Sequence, residues 1–183
     1  MRKTRKAAAV LTAVAMAAVS AAPVMADEIK DLYDYEVQTR EIETWNVLYS
    51  QLATDLQVLT NLYDGLLESD EYGKLAPAVA ESWETEDNGV TWTFHLRQGV
   101  KWVDQNGNEK GEVTAQDFLT GLEWVLNFHK NDATNTSMPM EMIVGAEDYY
   151  NMTSELDADA GLALTAESPE FADTVGIKAI DDY

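Results

Sequence analysis

The most informative absence in this 183-residue sequence is that of cysteine. Without cysteine there can be no disulfide framework, no thiolate metal site, no cysteine nucleophile and no lipid-bearing cysteine. Positive charge is also scarce, since 12 lysines and arginines stand against 33 aspartates and glutamates, giving a formal net charge of -21. Such an acidic chain repels the phosphates of nucleic acids, so the composition argues against nucleic-acid binding.

Sequence motifs of hydrolases, nucleotide-binding proteins and zinc proteases are missing as well. The two histidines, His95 and His129, are predicted to lie on the polar face of a strand and at a helix end, where surface roles are expected. The segment 104–108 resembles the start of a calcium-binding loop, but Glu109 replaces the glycine that such a loop requires. We therefore predict no enzymatic activity, no cofactor and no metal site.

The first 26 residues have the composition of a cleavable secretory signal. Four basic residues are followed by an apolar segment over 7–19 and by a short stretch ending in Val24-Met25-Ala26. An apolar segment of 13 residues is too short to span about 30 Å of hydrocarbon, which argues against a membrane anchor. We predict cleavage after Ala26, which would leave residues 27–183 as a periplasmic or extracellular protein.

The clearest local signal is a β-hairpin over residues 82–97. Apolar and polar residues alternate strictly from Val90 to Arg97, and Asn88-Gly89 suits a tight turn. Because alternation turns one apolar face inward, we expect four aromatic side chains to share a core, whereas exposed aromatics would suit a carbohydrate-binding module. The four are Trp83, Trp92, Phe94 and Trp102.

Helical spacing predicts one helix over 55–66 and a stronger one over 114–128, so the fold class is α/β, in the mixed α+β sense. Thr114 and Asp117 have the spacing of a capping box at the start of the stronger helix. Between 131 and 177 there is no lysine or arginine against ten acidic residues. The elements predicted there are a polar loop over 131–139, a helix over 141–152, a solvated loop with at most one weak helical turn over 153–174 and a strand beginning at 176–180.

A series of motifs in fixed order makes the sequence resemble one protein family, the extracellular solute-binding proteins of family 5. These are the oligopeptide- and dipeptide-binding components of ABC importers, and the resemblance is to their N-terminal part. The motifs are NLYDGLL at 61–67, LAP at 75–77, AESW at 80–83, GVTWTFHLRQGVKW at 89–102, TAQDF at 114–118 and GIKAIDDY at 176–183.

The resemblance implies a type II periplasmic-binding fold, in which two lobes close over a ligand. Residues 27–183 would be the N-terminal portion of the solute-binding domain, with part of the first lobe, an adjoining small domain and no second lobe. The implied function is that of a receptor, monomeric at full length, which delivers peptides to the permease subunits of an ABC importer in the membrane. Nickel, haem or oligosaccharide ligands, or an exported carbohydrate-binding module, remain open alternatives.

Two pairs of residues are implied as ligand-binding positions. Thr54 and Asp55, just before the first predicted helix, would line the cleft, as would Ser137 and Met138 in the loop after the capped helix. Considered from the residues alone, each is equally well an ordinary helix-cap or loop residue. The resemblance implies no cofactor.

Overall fold

A computed structural model describes residues 40–50, 52–130 and 136–183 of the chain. The predicted secretory signal lies outside these described residues. The described part contains both helices and strands, as the sequence predicts. Its elements in chain order are α1 (Ala53–Leu59), β1 (Leu67–Ser69), β2 (Leu75–Pro77), β3 (Ala80–Glu86), β4 (Thr91–Leu96), β5 (Lys101–Val103), β6 (Glu109–Glu112), α2 (Ala115–Leu126), α3 (Ser137–Met142), α4 (Ala146–Ser154), α5 (Ala158–Ala163) and α6 (Pro169–Ala172).

The strands pair as three antiparallel hairpins, β1 with β2, β3 with β4, and β5 with β6. The predicted hairpin is confirmed by β3 and β4, which are joined through Asp87, Asn88 and Gly89, all at positive φ. Asparagine and glycine tolerate this left-handed backbone better than other residues do, which is why the turn forms here.

The predicted aromatic core is wrong. Trp83 pairs with Phe94 across the hairpin and both are half-buried, but Trp92 is 50% exposed and Trp102 is 43% exposed. The core of the strand region is instead built from smaller side chains, with Phe94 and Phe118 packed at its margin. Its buried members are Val79, Ala80, Leu96 and Val113.

The stronger predicted helix is confirmed as α2, and its start has the expected cap. The backbone N–H of Thr114 donates to Asp117 Oδ2 at 2.8 Å. The first predicted helix is shorter than expected, because α1 ends at Leu59 rather than at residue 66. Thr60 Oγ1 and Asn61 Nδ2 both donate to the carbonyl of Gln57, and such local side-chain bonds compete with a continuing helix.

The helix predicted over 141–152 is in fact two helices, α3 and α4, and α3 takes in residues that were expected in a polar loop. Ile143 ends α3 in an extended conformation, and Gly145 turns the chain with a φ of 73°. A Cβ at Gly145 would lie 1.9 Å from the carbonyl oxygen of Thr174, so only glycine fits this turn.

The solvated loop predicted over 153–174 is also wrong. This segment forms α5 and α6, and it contributes Ala166 and Phe171 to the main core. Asp157 caps α5 by accepting a hydrogen bond from the N–H of Ala160 at 3.0 Å. The core that these helices close also contains Leu126, Ala146, Tyr149 and Val175.

The strand predicted from residue 176 does not form among the described residues. The segment is held by single contacts instead: Gly176 donates its N–H to the carbonyl of Val144 at 2.7 Å. Near the end of the chain, the carbonyl of Asp182 accepts from the N–H of Ala115 at 3.0 Å. The terminal segment therefore connects the start of α2 with the turn between α3 and α4.

Candidate functional site

The first predicted pair, Thr54 and Asp55, lies in the first turn of α1. Asp55 is fully buried and accepts hydrogen bonds from the hydroxyl of Ser50 at 2.8 Å and from the N–H of Glu43 at 3.2 Å. These bonds tie the preceding loop to the helix, so the carboxylate of Asp55 already has a structural role. Thr54 is half-buried beside it.

The second predicted pair, Ser137 and Met138, begins helix α3 rather than lying in a loop. Both side chains are exposed, and Met138 retains 73% of its surface. The backbone N–H of Met140 donates to the carbonyl of Thr136 at 3.0 Å, which fixes the first turn. The side chains of Ser137 and Met138 are thus open to solvent, whereas that of Asp55 is enclosed.

An open groove of about 270 Å³ lies beside α3 and the start of α4. Its apolar lining comes from Met140, Met142, Ile143 and Val144. Three carboxylates also line it, those of Glu141, Glu147 and Asp148. The lining surface of the groove is therefore mainly polar and negatively charged, with a smaller apolar part.

A buried polar network closes the carboxyl end of α2. Glu123, only 2% exposed, accepts hydrogen bonds on Oε1 from Asn127 Nδ2 at 2.8 Å and from the Tyr149 hydroxyl at 2.9 Å. Its Oε2 forms an ion pair with Lys130 Nζ at 2.8 Å. Burial raises the pKa of Tyr149 above its ordinary value, and the negative charge of Glu123 raises it further. Glu123 is thereby supplied with three donors, as a buried carboxylate requires.

The same network extends to α5 and the segment that follows it. Asn127 Nδ2 also donates to the carbonyl of Gly161 at 2.9 Å, and Lys130 Nζ donates to the carbonyl of Leu164. His129 Nε2 lies 3.0 Å from the carbonyl oxygen of Leu156. A Cβ at Gly161 would lie 2.2 Å from the imidazole ring of His129, so this close packing requires glycine. His129 is therefore a half-buried packing residue, in contrast to the surface role expected from the sequence.

The side chain of Tyr49 links the segment before Thr54 and Asp55 to the segment before Ser137 and Met138. The Tyr49 hydroxyl donates to the carbonyl of Lys130 at 2.9 Å and lies 3.2 Å from Trp124 Nε1. Tyr49 precedes α1, which carries Thr54, and Lys130 precedes α3, which carries Ser137. The structure therefore joins the two segments upstream of the pairs.

The described residues contain no group of three or more histidine, aspartate or glutamate side chains placed to hold a metal ion. Nor does any helix in the described ranges have the length and apolarity needed to cross a membrane. The described part of the chain thus combines an open groove with a closed helical core.

Residues 74–183 match the sequence profile of the bacterial extracellular solute-binding proteins, family 5 Middle. The chain belongs to this family. The family 5 assignment agrees with the ordered motifs and with the mixed fold of helices and strands described above.

Among curated family 5 relatives, the oligopeptide-binding protein AmiA of Streptococcus pneumoniae is 39% identical over 153 residues, which are 82% of this chain and 20% of AmiA. The periplasmic oligopeptide-binding protein OppA of Salmonella typhimurium is 33% identical over an alignment of 187 positions, gaps included, which covers 100% of this chain and 30% of that protein. The chain therefore spans about a fifth to a third of the length of these relatives.

A solved structure shows the same fold. The chain superposes on OppA of Haemophilus influenzae, in its complex with RPPGFSPFR, with a TM-score of 0.57 and 28% identity. The match covers 76% of this chain and 23% of that one. The periplasmic peptide-binding fold expected from the motifs is confirmed for the part of the chain that the structure describes.

Sequence reasoning missed both the groove and the buried network. A compositional signal for the groove existed: apart from Met1, Met16 and Met25 of the predicted secretory signal, every methionine lies between Met138 and Met152. Methionines concentrated in one short segment indicate an adaptable apolar surface. The network had no such signal, because its members are spread over more than 40 residues and meet only through the fold.

Proposed function

We propose that this protein is an extracytoplasmic receptor, without enzymatic activity, that binds peptides and delivers them to the permease subunits of an ABC importer. The observation that carries the proposal is its 39% identity over 153 residues to an oligopeptide-binding protein. Export through the signal at residues 1–26 would bring the protein to the periplasm or the extracellular space, where such a receptor meets its ligand.

The exposed start of α3 supports a peptide as the ligand. Ser137 and Met138 both present their side chains to solvent, next to a groove with apolar and charged lining. A peptide is recognised through its backbone groups together with pockets for its side chains. We therefore keep Thr54, Asp55, Ser137 and Met138 as proposed ligand contacts, with Asp55 also holding the α1 loop in position.

Residues 27–183 would supply only part of the site. The chain spans 20% of AmiA, and we propose that the rest of a full-length receptor contributes a second lobe and closes over the ligand. A peptide bound to one open surface leaves its hydrogen bonds in contact with water, where each nets only about 1 kcal/mol. It must also offset the entropy lost when a flexible ligand is held. Residues 27–183 should therefore bind peptides weakly on their own.

The test is calorimetry of the product of the complete natural reading frame and of residues 27–183, each titrated with a mixed library of short peptides. We expect micromolar or tighter binding by the first and at least about tenfold weaker binding by the second. Ser137→Ala should weaken binding by the first, whereas Ser154→Ala, an exposed helical serine away from the groove, should not.

Other results would redirect the assignment. Binding of nickel, haem or oligosaccharide with no binding of peptide would contradict the peptide ligand but leave a transport receptor of the same class. Tight peptide binding by residues 27–183 alone would contradict the two-lobed site. Loss of sugar binding after Trp92→Ala and Trp102→Ala would favour a carbohydrate-binding module, for which these half-exposed indoles are suitable stacking surfaces.

A further inference from the structure

We propose that the groove beside α3 and α4 binds a cationic segment with apolar side chains, and that peptides of this class are the ones this receptor favours. The surface itself is argued below from the structure, whereas the peptide nature of its occupant rests on the proposed function.

The first step is the exposed apolar surface in and beside the groove: Met142 and Val144 line it, and Met138 lies one helical turn before Met142. Met138 is 73% exposed, Met142 78% and Val144 76%. Met138 and Met142 are four residues apart in α3, so their side chains lie on the same face of the helix. Three large apolar side chains left this open favour an apolar occupant, and the flexible methionines can adapt to side chains of different shape.

The second step is charge. Glu141, Glu147 and Asp148 line the groove, and no lysine or arginine occurs between residues 131 and 177. A cationic occupant would meet complementary charge, while an acidic one would be repelled. The same argument disfavours a second copy of this chain, because each copy carries a formal charge of -21.

The third step is that the groove is already formed. Two contacts with the later part of the chain hold the groove's wall at Val144 and Gly145 in place. The carbonyl of Val144 accepts a hydrogen bond from the N–H of Gly176, and Gly145 packs tightly against the carbonyl of Thr174. A surface held in this way need not be ordered by its ligand, which lowers the entropic cost of binding.

Methyl-labelled methionine offers a direct test on the 183-residue chain. NMR of the methionine methyl groups detects binding even at millimolar dissociation constants, and Met152, half-buried against the core, serves as an internal control. Capped Lys-Leu-Lys should shift the signals of Met138 and Met142 and leave that of Met152 nearly unchanged. Capped Glu-Leu-Glu should bind at least about tenfold more weakly.

Matched variants separate the groove from the general negative charge. Glu147→Gln with Asp148→Asn should weaken Lys-Leu-Lys binding about fivefold or more, whereas Glu84→Gln with Glu86→Gln, an equal change on exposed strand residues, should change it less than about twofold. Met142→Ser with Val144→Ser should also weaken it, while Ile180→Ser, another exposed apolar residue, should not.

Three results would overturn the inference: equal binding of the two peptides, shifts at Met152 in place of Met138 and Met142, or equal effects of the two charge pairs. In each case, peptide binding by the full-length receptor would leave the proposed function standing. If Lys-Leu-Lys binds in the groove but no peptide binds the full-length receptor, the proposed function fails and the groove remains a binding surface for a cationic segment.

Discussion

Two carboxylates with the same kinds of partner show how the helical region, α2 to α6, differs from the strand region, β1 to β6. Glu123 bonds to Lys130 and Tyr149, and Glu112 bonds to Lys101 and Tyr183. The Glu123 side chain is 2% exposed, whereas that of Glu112 is 40% exposed. The same chemistry is therefore part of the core in one region and part of the surface in the other.

The difference extends to the apolar residues. The helical region encloses Tyr149 and Phe171 completely, with their rings edge to face at 5.1 Å between centroids. The strand region leaves Trp92 and Trp102 about half exposed. Since buried area and desolvated contacts determine how much a side chain stabilises, the helical region should carry most of the stability.

The largest expected difference is between two lysine substitutions. Lys130→Met would leave Glu123 buried without its ion-pair partner, and should lower the free energy of unfolding by about 3 to 5 kcal/mol. Lys101→Met removes the partner of an exposed carboxylate and should cost much less, because water screens that pair. Urea unfolding followed by circular dichroism measures both. Equal losses would show that burial does not distinguish the two pairs.

Two glycines with similar backbone conformations sharpen the comparison further. Gly145 and Gly107 have φ values of 73° and 79°, but a Cβ would clash with the carbonyl of Thr174 at the first and meet nothing within 4 Å at the second. Alanine should cost about 1 kcal/mol at Gly107 from backbone strain, and about 2 to 4 kcal/mol at Gly145, where overpacking is added. Thermal unfolding of both variants tests this, and a milder effect at Gly145 would contradict the close packing.

Removing the tyrosine hydroxyl that donates to each of the two carboxylates should give a smaller effect. Tyr149→Phe should lower the free energy of unfolding by about 1.5 to 3 kcal/mol, because a buried acceptor loses a donor. Tyr183→Phe should cost clearly less, since water can replace its hydroxyl at the surface. Chemical denaturation at pH 7 compares the two variants, and a larger loss for Tyr183→Phe would refute the contrast.

The pH dependence of stability provides an independent check on Tyr149. Its pKa is raised above the ordinary value of 10.0, chiefly by burial, so this tyrosine stays neutral in the folded state when its unfolded counterpart ionises. The stability it contributes is complete below pH 10 and falls as the pH rises above it. Tyr149→Phe should remove part of that alkaline decline. An unchanged decline would show that Tyr149 is not its source.

The last comparison is between the aromatic side chains of Trp92 and Phe171. Because this indole is half exposed, Trp92→Ala should cost about 1 kcal/mol, compared with about 3 to 5 kcal/mol for Phe171→Ala in the helical core. Urea unfolding measures both variants. Similar losses in the free energy of unfolding would show that Trp92 belongs to a buried core.

What the sequence predicts correctly depends on local interactions. Asn88-Gly89 specifies the turn of its hairpin, and Thr114 with Asp117 specifies the start of α2, because each involves residues at most a few positions apart. The segment 153–174 was misread, because Phe171 is buried by contacts with α2 and α4 that no local pattern shows. Alternation likewise placed Trp92 on a face of the hairpin without revealing that no core covers it.

The candidate site shows the same limit. Ser137 and Met138 were reached through the family resemblance, and both prove to be exposed. The groove next to them depends on Gly145 and Thr174, whose contact spans almost thirty residues. The ligand-binding role of Asp55 stays a prediction, and the structure adds a hydrogen bond to its carboxylate from the Ser50 hydroxyl, which spacing alone did not single out.

Hydrogen exchange of the backbone amides along the native chain tests the central claim, that a closed helical core carries the stability of this protein, most directly. The account predicts the slowest exchange in the carboxyl half of α2 and in α4, where Glu123 and Tyr149 lie, and clearly faster exchange in β5 and β6. Equal protection of the two regions, or slower exchange in β5 and β6, would contradict it.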